Sequence, residues 1–530
     1  MMFADRITPV KDFAVTYWTV CALFFLSLIF FLLFMIDTPV NGDTYAYARS
    51  ISTFEGPIIH IGYYSIGYIF HSLLKQFGST PLQTLGYMSC FFGSISVICM
   101  YLFTFMLTEN RLQSFLAALI LMFSGTLWFF SIHGEVYVPQ LAFVLISVLF
   151  IMKKRALLSS LSILVAISIT PTSCLAIPPI IYLMYVKQFE KKQIIYFAFP
   201  ILLALIFLIA WDISKLLNIL AKAIHSPKVF FESFSYKALI LKVPYSLIKV
   251  YGKSFNLISF VGIFGFAILY KEDKKIWWSM LAFILPFSLY LLNLDLFSGD
   301  HLIISFIAIS FFGSYGIIHL FKITNASLQI KYLATIFLIF GHIWISYQLF
   351  IRPEIRDAQE LKKVVNNLAD EYNTNAVMIS DYNFGMAFWY LTNEETDFFL
   401  FTGRPNGFLR EHGGNFRECQ KKLDAKFWIN LSQLPDFIYQ LGLKRSSGFI
   451  YRLGLKQSSG QRLLYFVDRS DWPTWIVRLL LSDKSLEKRK REIPKLKRCK
   501  TYLEERSEEK FEFLKFIDSP LWPVYVWPRI

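Results

Sequence analysis

Long apolar runs dominate the first two thirds of the chain, and polar residues gather in the short segments between them. Each run is solidly apolar rather than alternating, which is typical of a membrane helix and not of a strand in a membrane barrel. Several runs reach the roughly 20 apolar residues that a helix needs to cross a hydrocarbon core. The pattern predicts about eleven spans, near residues 13–36, 83–107, 112–131, 135–152, 156–170, 173–186, 194–211, 254–270, 276–294, 301–321 and 331–351.

From residue 352 the pattern changes, because charged residues become common and apolar runs become short. Residues 354–372 have helical periodicity, and three short apolar segments further on have the character of strands. We therefore predict a mainly α protein, in which a polytopic α-helical membrane domain over 1–351 precedes a soluble α/β domain over 352–530. The three predicted strands are AVMIS (376–380), FFLFT (398–402) and RLLYFVD (462–468).

Two further patterns lie in this C-terminal region. The motif LGLK-x-SSG occurs twice within 441–461, which is too few copies for a solenoid and predicts a hairpin or a local duplication. The charge run over 484–510 predicts a solvated helix, with contact to anionic lipid as the alternative.

Composition supports the membrane interpretation. Only 17% of the 530 residues are charged, whereas a soluble domain carries about a quarter. The net charge of +15 is explained by cytoplasmic-loop lysines and by attraction to anionic lipid. We predict no nucleic-acid partner, because the single strongly basic stretch is 484–500. The six scattered cysteines have no zinc-site spacing, and no metal ligands are predicted.

Lysine and arginine predict the sidedness of the spans. If the N-terminus is cytoplasmic, the connections near 109, 153, 187, 271 and 322 are also cytoplasmic, and all of them carry positive charge. The opposite connections at 132–135, 170–173 and 295–300 carry none. The odd number of spans then places the region from 352 on the outer side. The loops 37–82 and 212–253 also face outward, and the second of them carries seven lysines.

Polar chemistry collects at the outer ends of the spans. Charged residues at such positions are costly unless they face water or a partner, so they are functional candidates. We expect four clusters to converge on one cavity that opens to the outer leaflet: Asp37 and Asp43 with Arg49 and His60; His133 with Glu135; Thr170 to Ser173; and Asp295, Asp300 and His301.

The loop 37–82 has internal order. DTYAYARSIS (43–52) predicts a helix with Asp43 or Thr44 as N-cap and with Tyr45, Ala48 and Ile51 or Ser52 on one face. GYYSIGYIFHSLLKQFG (62–78) predicts a second, amphipathic helix along the membrane interface. The first apolar run, which ends near residue 36, is expected to be retained as a span and not cleaved as a signal peptide.

Each polar candidate also fits a structural role when it is taken alone. Asp43 and Asp300 can be helix caps, and Glu135 can complement the dipole of the helix it precedes. His60 can be a hydrogen-bonded interface histidine. The functional interpretation therefore depends on the convergence of these residues and not on any one of them.

At these residues the sequence resembles the GT-C superfamily of multi-pass glycosyltransferases, specifically the protein O-mannosyltransferase-like group. GDTYAYARS (42–50) resembles the acidic motif that follows the first span, and HIGYYSIGYIFHSLLKQFG (60–78) resembles the segment that leads into the interfacial helix. GEVYVPQLAFVLISVLFI (134–151) and AISITPTSCLAIPP (166–179) resemble two later motifs. The double proline of the family is absent. The second carboxylate of its acidic pair is replaced here by tyrosine or alanine, which places more weight on Asp43.

The resemblance implies transfer of a sugar from a polyprenyl-phosphate carrier to an acceptor hydroxyl at the external membrane face. Asp43 is then the expected base and Glu135 the second catalytic residue. No cofactor beyond the lipid-linked sugar donor is predicted, and the role of a divalent metal is left open. The expected substrate-binding residues are Arg49 and His60 near the phosphate, His133 near the sugar or acceptor, and Tyr64, Asp300 and His301.

Two other classes of membrane protein would show the same pattern of apolar runs. A transporter would have inverted repeats and broken spans near mid-membrane, and no convincing repeat is present. A lipid-linked glycan ligase or polymerase would share the topology and the donor. For the expected glycosyltransferase, the predicted acceptor is a protein, a lipid or a glycan. We expect a bacterial inner membrane with a periplasmic C-terminal domain, the alternative being the endoplasmic reticulum membrane.

Overall fold

A computed structural model describes residues 10–54, 60–204, 206, 248–293, 300–324, 327–371, 377–380, 387–388, 390–391, 398–400, 464–467, 514–517 and 524–527. The chain forms two compact units. One comprises residues 1–37 and 58–353, and the other comprises residues 38–57 and 354–530. The repeat at 441–461 and the charge run at 484–510 lie outside the described residues.

Helices make up most of the described chain, so the mainly α fold is confirmed. In chain order they are α1 (Val10–Leu33), α2 (Gly42–Thr53), α3 (Ile61–Leu74), α4 (Pro81–Thr108), α5 (Arg111–Met122), α6 (Gly125–Ser131), α7 (Tyr137–Met152), α8 (Ala156–Ile169), α9 (Ile177–Val186), α10 (191–204), α11 (Leu257–Glu272), α12 (Lys274–Asn293), α13 (Phe306–Ile323), α14 (Leu328–Ser346) and α15 (Arg352–Glu371).

Each of the predicted spans contains a helix among the described residues. Three helical stretches are long and apolar enough to cross a membrane: Pro81–Thr108, Leu302–Ile323 and Leu328–Leu368. The pair α5 and α6 is a fourth if its two helices, bent by 63°, form one span. The number of crossings and their sidedness stay predictions.

Local sequence explains where the helices begin. Thr80 and Gln83 form a capping box at the start of α4, where Pro81 occupies the first turn. Asn110 accepts a hydrogen bond from the Gln113 amide and caps α5. In α2 the N-cap is Asn41, whose side chain accepts from the Asp43 amide, so the expectation of a cap at Asp43 or Thr44 was wrong. Tyr45, Ala48 and Ile51, which the sequence placed on one face of α2, are all fully buried.

Small residues let α11 and α13 approach closely. A Cβ atom added at Gly265 would lie 2.1 Å from the Phe312 carbonyl oxygen and 2.8 Å from the Gly316 amide nitrogen. One turn earlier, a Cβ atom at Gly262 would meet the Gly313 amide nitrogen at 3.8 Å, an ordinary contact. Small residues at a helix contact are a general means of packing membrane helices.

We therefore expect Gly265→Ala to destabilise the protein by about 1–3 kcal/mol, because the clash is with backbone atoms that cannot rotate away. Gly262→Ala is the matched control and is expected to change stability little. The measurement is thermal unfolding of both variants in detergent micelles. Equal unfolding temperatures for the two variants would contradict the close approach at Gly265.

The second unit contains α2, most of α15 and a five-stranded mixed sheet with strand order β2-β1-β3-β5-β4. β1 pairs in parallel with β2 and β3, whereas β5 pairs antiparallel with β3 and β4. β1 to β3 lie within the segments predicted as strands. The helices expected between the strands fall on residues outside the described ones, so the α/β character of this region stays a prediction. The strands are β1 (Val377–Ser380), β2 (Phe398–Leu400), β3 (Leu464–Val467), β4 (Leu514–Ile517) and β5 (Val524–Trp527).

Candidate active site

The start of α3 is fixed against the end of α8 in the first unit. His60 is the N-cap residue of α3, and its Nδ1 lies 2.7 Å from the Ile169 carbonyl oxygen. Because a carbonyl oxygen can only accept, Nδ1 carries the proton. Gly62 allows this approach, since a Cβ atom there would lie 2.1 Å from Ser168 Oγ and 2.9 Å from the Ser168 carbonyl carbon. The helix predicted over 62–78 is confirmed as α3 with a short 3₁₀ extension, and its position along the membrane interface stays a prediction.

Two buried tyrosines follow this contact on α3. Tyr63 is fully buried and Tyr64 is 5% exposed. The Tyr64 ring meets the His60 ring edge-on at 6.5 Å and the Tyr63 ring at 6.2 Å. Burial raises the pKa of Tyr63 well above its usual value, and the charge of Glu135 raises it further. Tyr63 therefore keeps its proton and is a hydrogen-bond donor throughout the physiological pH range.

Glu135 is a buried carboxylate, with only 2% of the residue exposed. It lies in the turn between α6 and α7, and its amide donates to the His133 carbonyl at 3.0 Å. The start of α7 follows directly, and a helix N-terminus favours a negative charge. Its charge raises the pKa of Tyr63, on the first turn of α3. A buried carboxylate is uncommon unless other groups compensate its charge, which makes this position a functional candidate.

His133 has a local structural role beside any functional one. It is 1% exposed, and its ring stacks on Phe129 at 4.2 Å between centroids. Its Nδ1 donates to the Phe129 carbonyl oxygen at 2.6 Å. These two contacts hold the turn that carries Glu135.

The third polar segment joins the same region. After α8, residues Pro171–Ala176 form a 3₁₀ helix. Gln140 on α7 reaches this helix, with its Nε2 donating to Thr172 Oγ1 at 3.2 Å. Gln140 and Thr170 are 2% and 4% exposed. The segment is therefore anchored to α3 through Ile169 and to α7 through Thr172.

Asp43 belongs to the second unit. It is exposed in the first turn of α2, where the helix N-terminus favours its negative charge. Arg49 is exposed one and a half turns later on the same helix. The relation of Asp43 and Arg49 to Glu135 stays a prediction.

Glu354 ties the Asp43 segment to the start of α15 within the second unit. Its Oε1 accepts from the Val40 amide at 3.3 Å, and Glu354 is 6% exposed. Tyr45 is fully buried and packs against the Tyr390 ring at 5.6 Å. Burial raises the pKa of Tyr45, and the charge of Glu354 and then Tyr390 raise it further. The sequence analysis did not identify Glu354, although a carboxylate at the predicted outer end of the last span was a signal for it.

Asp300 and His301 begin a 3₁₀ helix, Asp300–Ser305, that precedes α13. Their side chains lie outside the described part of the structure, and so does Asp295. In the part that is described, no three His, Cys, Asp or Glu side chains come together as a metal site.

The first unit thus brings together three of the predicted groups: His60 and Tyr64, His133 and Glu135, and the segment Thr170 to Ser173. Sequence analysis missed Tyr63 and Gln140. Tyr63 stands beside Tyr64 in a row of aromatic residues, and Gln140 is a single polar residue in an apolar run. In both cases the signal was too common to single out one residue.

Comparison with solved structures identifies the fold. ArnT from Cupriavidus metallidurans in the apo state matches with a TM-score of 0.53 at 7% identity, over 97% of this chain and 98% of that chain. ArnT bound to undecaprenyl phosphate matches with a TM-score of 0.51 at 8% identity, over 98% of each chain.

The archaeal oligosaccharyltransferase AglB from Archaeoglobus fulgidus, in complex with an inhibitory peptide and a dolichol-phosphate, matches at 12% identity with a TM-score of 0.40. That match covers 71% of this chain and 64% of AglB, so the chain spans less than two thirds of AglB. No family model and no curated protein sequence matches the chain. The ArnT matches show that the chain shares its fold with ArnT. Membership of the GT-C superfamily and of its protein O-mannosyltransferase-like group stays a prediction.

Proposed function

We propose that this protein is a membrane glycosyltransferase of the GT-C type that moves a sugar from a polyprenyl-phosphate donor to an acceptor hydroxyl at the extracytoplasmic face. The observation that carries the proposal is a set of buried polar groups in the first unit: the carboxylate of Glu135, whose charge acts on the buried phenol of Tyr63, and the polar segment that follows α8. The end of α8 contacts His60 at the start of α3, and the segment after it contacts Gln140 on α7. The fold shared with ArnT, one of whose structures holds undecaprenyl phosphate, supports the choice of donor.

In this proposal the acceptor oxygen attacks the anomeric carbon, and the bond from that carbon to the phosphate oxygen breaks. Asp43 takes the proton of the acceptor hydroxyl, a contribution that is typically about 10²- to 10⁴-fold in rate. Glu135 orients the sugar or the acceptor by accepting hydrogen bonds. Tyr63 donates a hydrogen bond because its proton is retained. Arg49, His60, Tyr64, His133, Asp300 and His301 complete the proposed substrate-binding set.

The leaving phosphate needs a cation, and Lys253 is the candidate with the most suitable surroundings. It lies just before α11, and its Nζ stands 4.6 Å from the centre of the Phe350 ring. Burial lowers the pKa of Lys253, and no carboxylate pairs with it among the described residues. An anionic ligand would stabilise its charged form.

We expect Lys253→Ala to weaken the binding of decaprenyl phosphate roughly 10- to 100-fold, the value of one charge-assisted hydrogen bond. Lys274→Ala is the matched control, because the Lys274 Nζ also stands over an aromatic ring, that of Tyr270 at 5.3 Å, on the predicted cytoplasmic side. The measurement is lipid binding to the purified protein in micelles. Equal effects of the two variants would contradict the assignment of Lys253.

The transferase proposal is tested with labelled sugar. Membranes that contain the protein and membranes that lack it are incubated with polyprenyl-phosphate hexoses labelled in the sugar. The proposal predicts release of polyprenyl phosphate and a new labelled product in the first membranes alone. A transporter would move the intact donor without breaking the sugar–phosphate bond, and that result would refute the proposal.

A further inference from the structure

Two buried polar atoms, one on the first turn of α7 and one directly after α8, lack a hydrogen-bond partner among the described residues. Gln140 Oε1 and Thr170 Oγ1 have no hydrogen bond among the described residues, although both residues are more than nine-tenths buried. Buried polar groups normally make hydrogen bonds, so a buried group without one indicates that a bonding partner is missing from the structure.

Other polar groups of the segment Thr170 to Ser173 make hydrogen bonds. The Thr170 amide donates to the Ala166 carbonyl at 2.9 Å, and the Ser173 amide donates to the Thr170 carbonyl at 3.0 Å. Ser173 Oγ donates to the same Ala166 carbonyl at 2.8 Å. The Gln140 side-chain nitrogen donates a hydrogen bond to Thr172, which fixes the orientation of the Gln140 side-chain oxygen. The two unsatisfied atoms are therefore not the result of a loosely packed segment.

The position of these atoms relates them to the proposed active site. Gln140 lies on the first turn of α7, which begins after Glu135. Thr170 follows Ile169, whose carbonyl accepts from His60. Thr172 links the two because its Oγ1 accepts from Gln140 and it lies two residues after Thr170.

We infer that Gln140, Thr170 and Thr172 form a subsite that binds hydroxyl groups of the donor's sugar ring; this inference rests on the proposed function. An amide oxygen accepts from a hydroxyl, and a threonine hydroxyl can donate or accept. A sugar ring carries adjacent hydroxyl groups that do both. An isoprenoid chain carries none, so the subsite distinguishes the sugar-loaded carrier from the bare one.

The test compares two lipids on the purified full chain in micelles: decaprenyl phosphate, and the same lipid loaded with mannose, glucose or galactose in turn. Wild type is expected to bind one loaded lipid more tightly than the bare lipid. Gln140→Leu and Thr170→Val should each weaken binding of that loaded lipid by about three- to tenfold, the value of one neutral hydrogen bond. Binding of bare decaprenyl phosphate should not change.

Ser147→Ala is the matched control, because Ser147 is a buried hydroxyl on the same helix whose bonds to Ser159 are satisfied. It should leave both affinities unchanged. The unfolding temperature of unliganded Thr170→Val should equal or exceed that of wild type, since the change removes an unsatisfied buried hydroxyl and keeps the shape of the side chain. A purely structural role for the Thr170 hydroxyl would lower it.

The other possible results separate failure of the subsite from failure of the proposed function. If wild type prefers a loaded lipid and the Gln140 and Thr170 variants keep that preference, the subsite is refuted and the proposed function stands. If those variants weaken both lipids equally, the residues act on the fold and the subsite is again refuted. If wild type binds neither lipid, the proposed function fails and the subsite fails with it.

Discussion

Replacing Glu135 with Gln is expected to lower sugar transfer by about 10²-fold, the cost of misplacing a bound group by about 1 Å, while the protein still folds. The substitution keeps the size of the side chain and removes its charge. Glu135 is 2% exposed and its charge acts on Tyr63. An amide at this position can accept fewer hydrogen bonds from substrate and has no negative charge to strengthen them. The loss should appear in kcat rather than in the affinity for the lipid phosphate.

The measurement for Glu135→Gln is turnover of labelled donor in proteoliposomes at saturating donor. Glu109→Gln is the matched control, because Glu109 is an exposed carboxylate at the C-terminal end of α4 on the predicted cytoplasmic side. The control should keep full turnover. If Glu135→Gln also keeps it, the buried carboxylate is only a complement to the dipole of α7, which is the structural interpretation left open by the sequence.

Much of the helical layout was predictable because it depends on local pattern. Apolar runs locate the helices, and three-residue spacing placed Tyr45, Ala48 and Ile51 on the buried face of α2. The amphipathic segment after His60 forms α3, as its pattern indicated. These features need only neighbours in sequence, and such neighbours are visible in a single chain.

The parts that were not predictable depend on contacts between distant residues. The Val40 amide and the Glu354 carboxylate are 314 residues apart, so nothing near either one signals that they meet. The position of Gly62 against Ser168 likewise needs the packing of α3 on α8. The cap of α2 was displaced by two residues because Asn41, Asp43 and Thr44 are all good capping residues and sequence alone does not rank them.

Asp43→Asn is expected to have the other large effect. Asp43 is exposed in the first turn of α2, and asparagine keeps its size and loses only the interaction of its charge with the helix N-terminus, about 0.3–1 kcal/mol, so the fold should be unchanged. Asparagine cannot take a proton from the acceptor hydroxyl, and turnover should therefore fall by about 10²- to 10⁴-fold. Asp273→Asn is the matched control, because Asp273 caps the start of α12 through the Lys275 and Ile276 amides on the predicted cytoplasmic side.

The central claim is that a carboxylate-dependent sugar transfer takes place at the outer ends of the helices. It is tested most directly by measuring, in one set of proteoliposomes, both the binding and the turnover of a labelled polyprenyl-phosphate hexose by wild type, Asp43→Asn and Asp273→Asn. We predict equal donor binding in all three, and turnover in wild type and Asp273→Asn alone. Undiminished turnover by Asp43→Asn, or no turnover by wild type with any hexose donor, would contradict the claim.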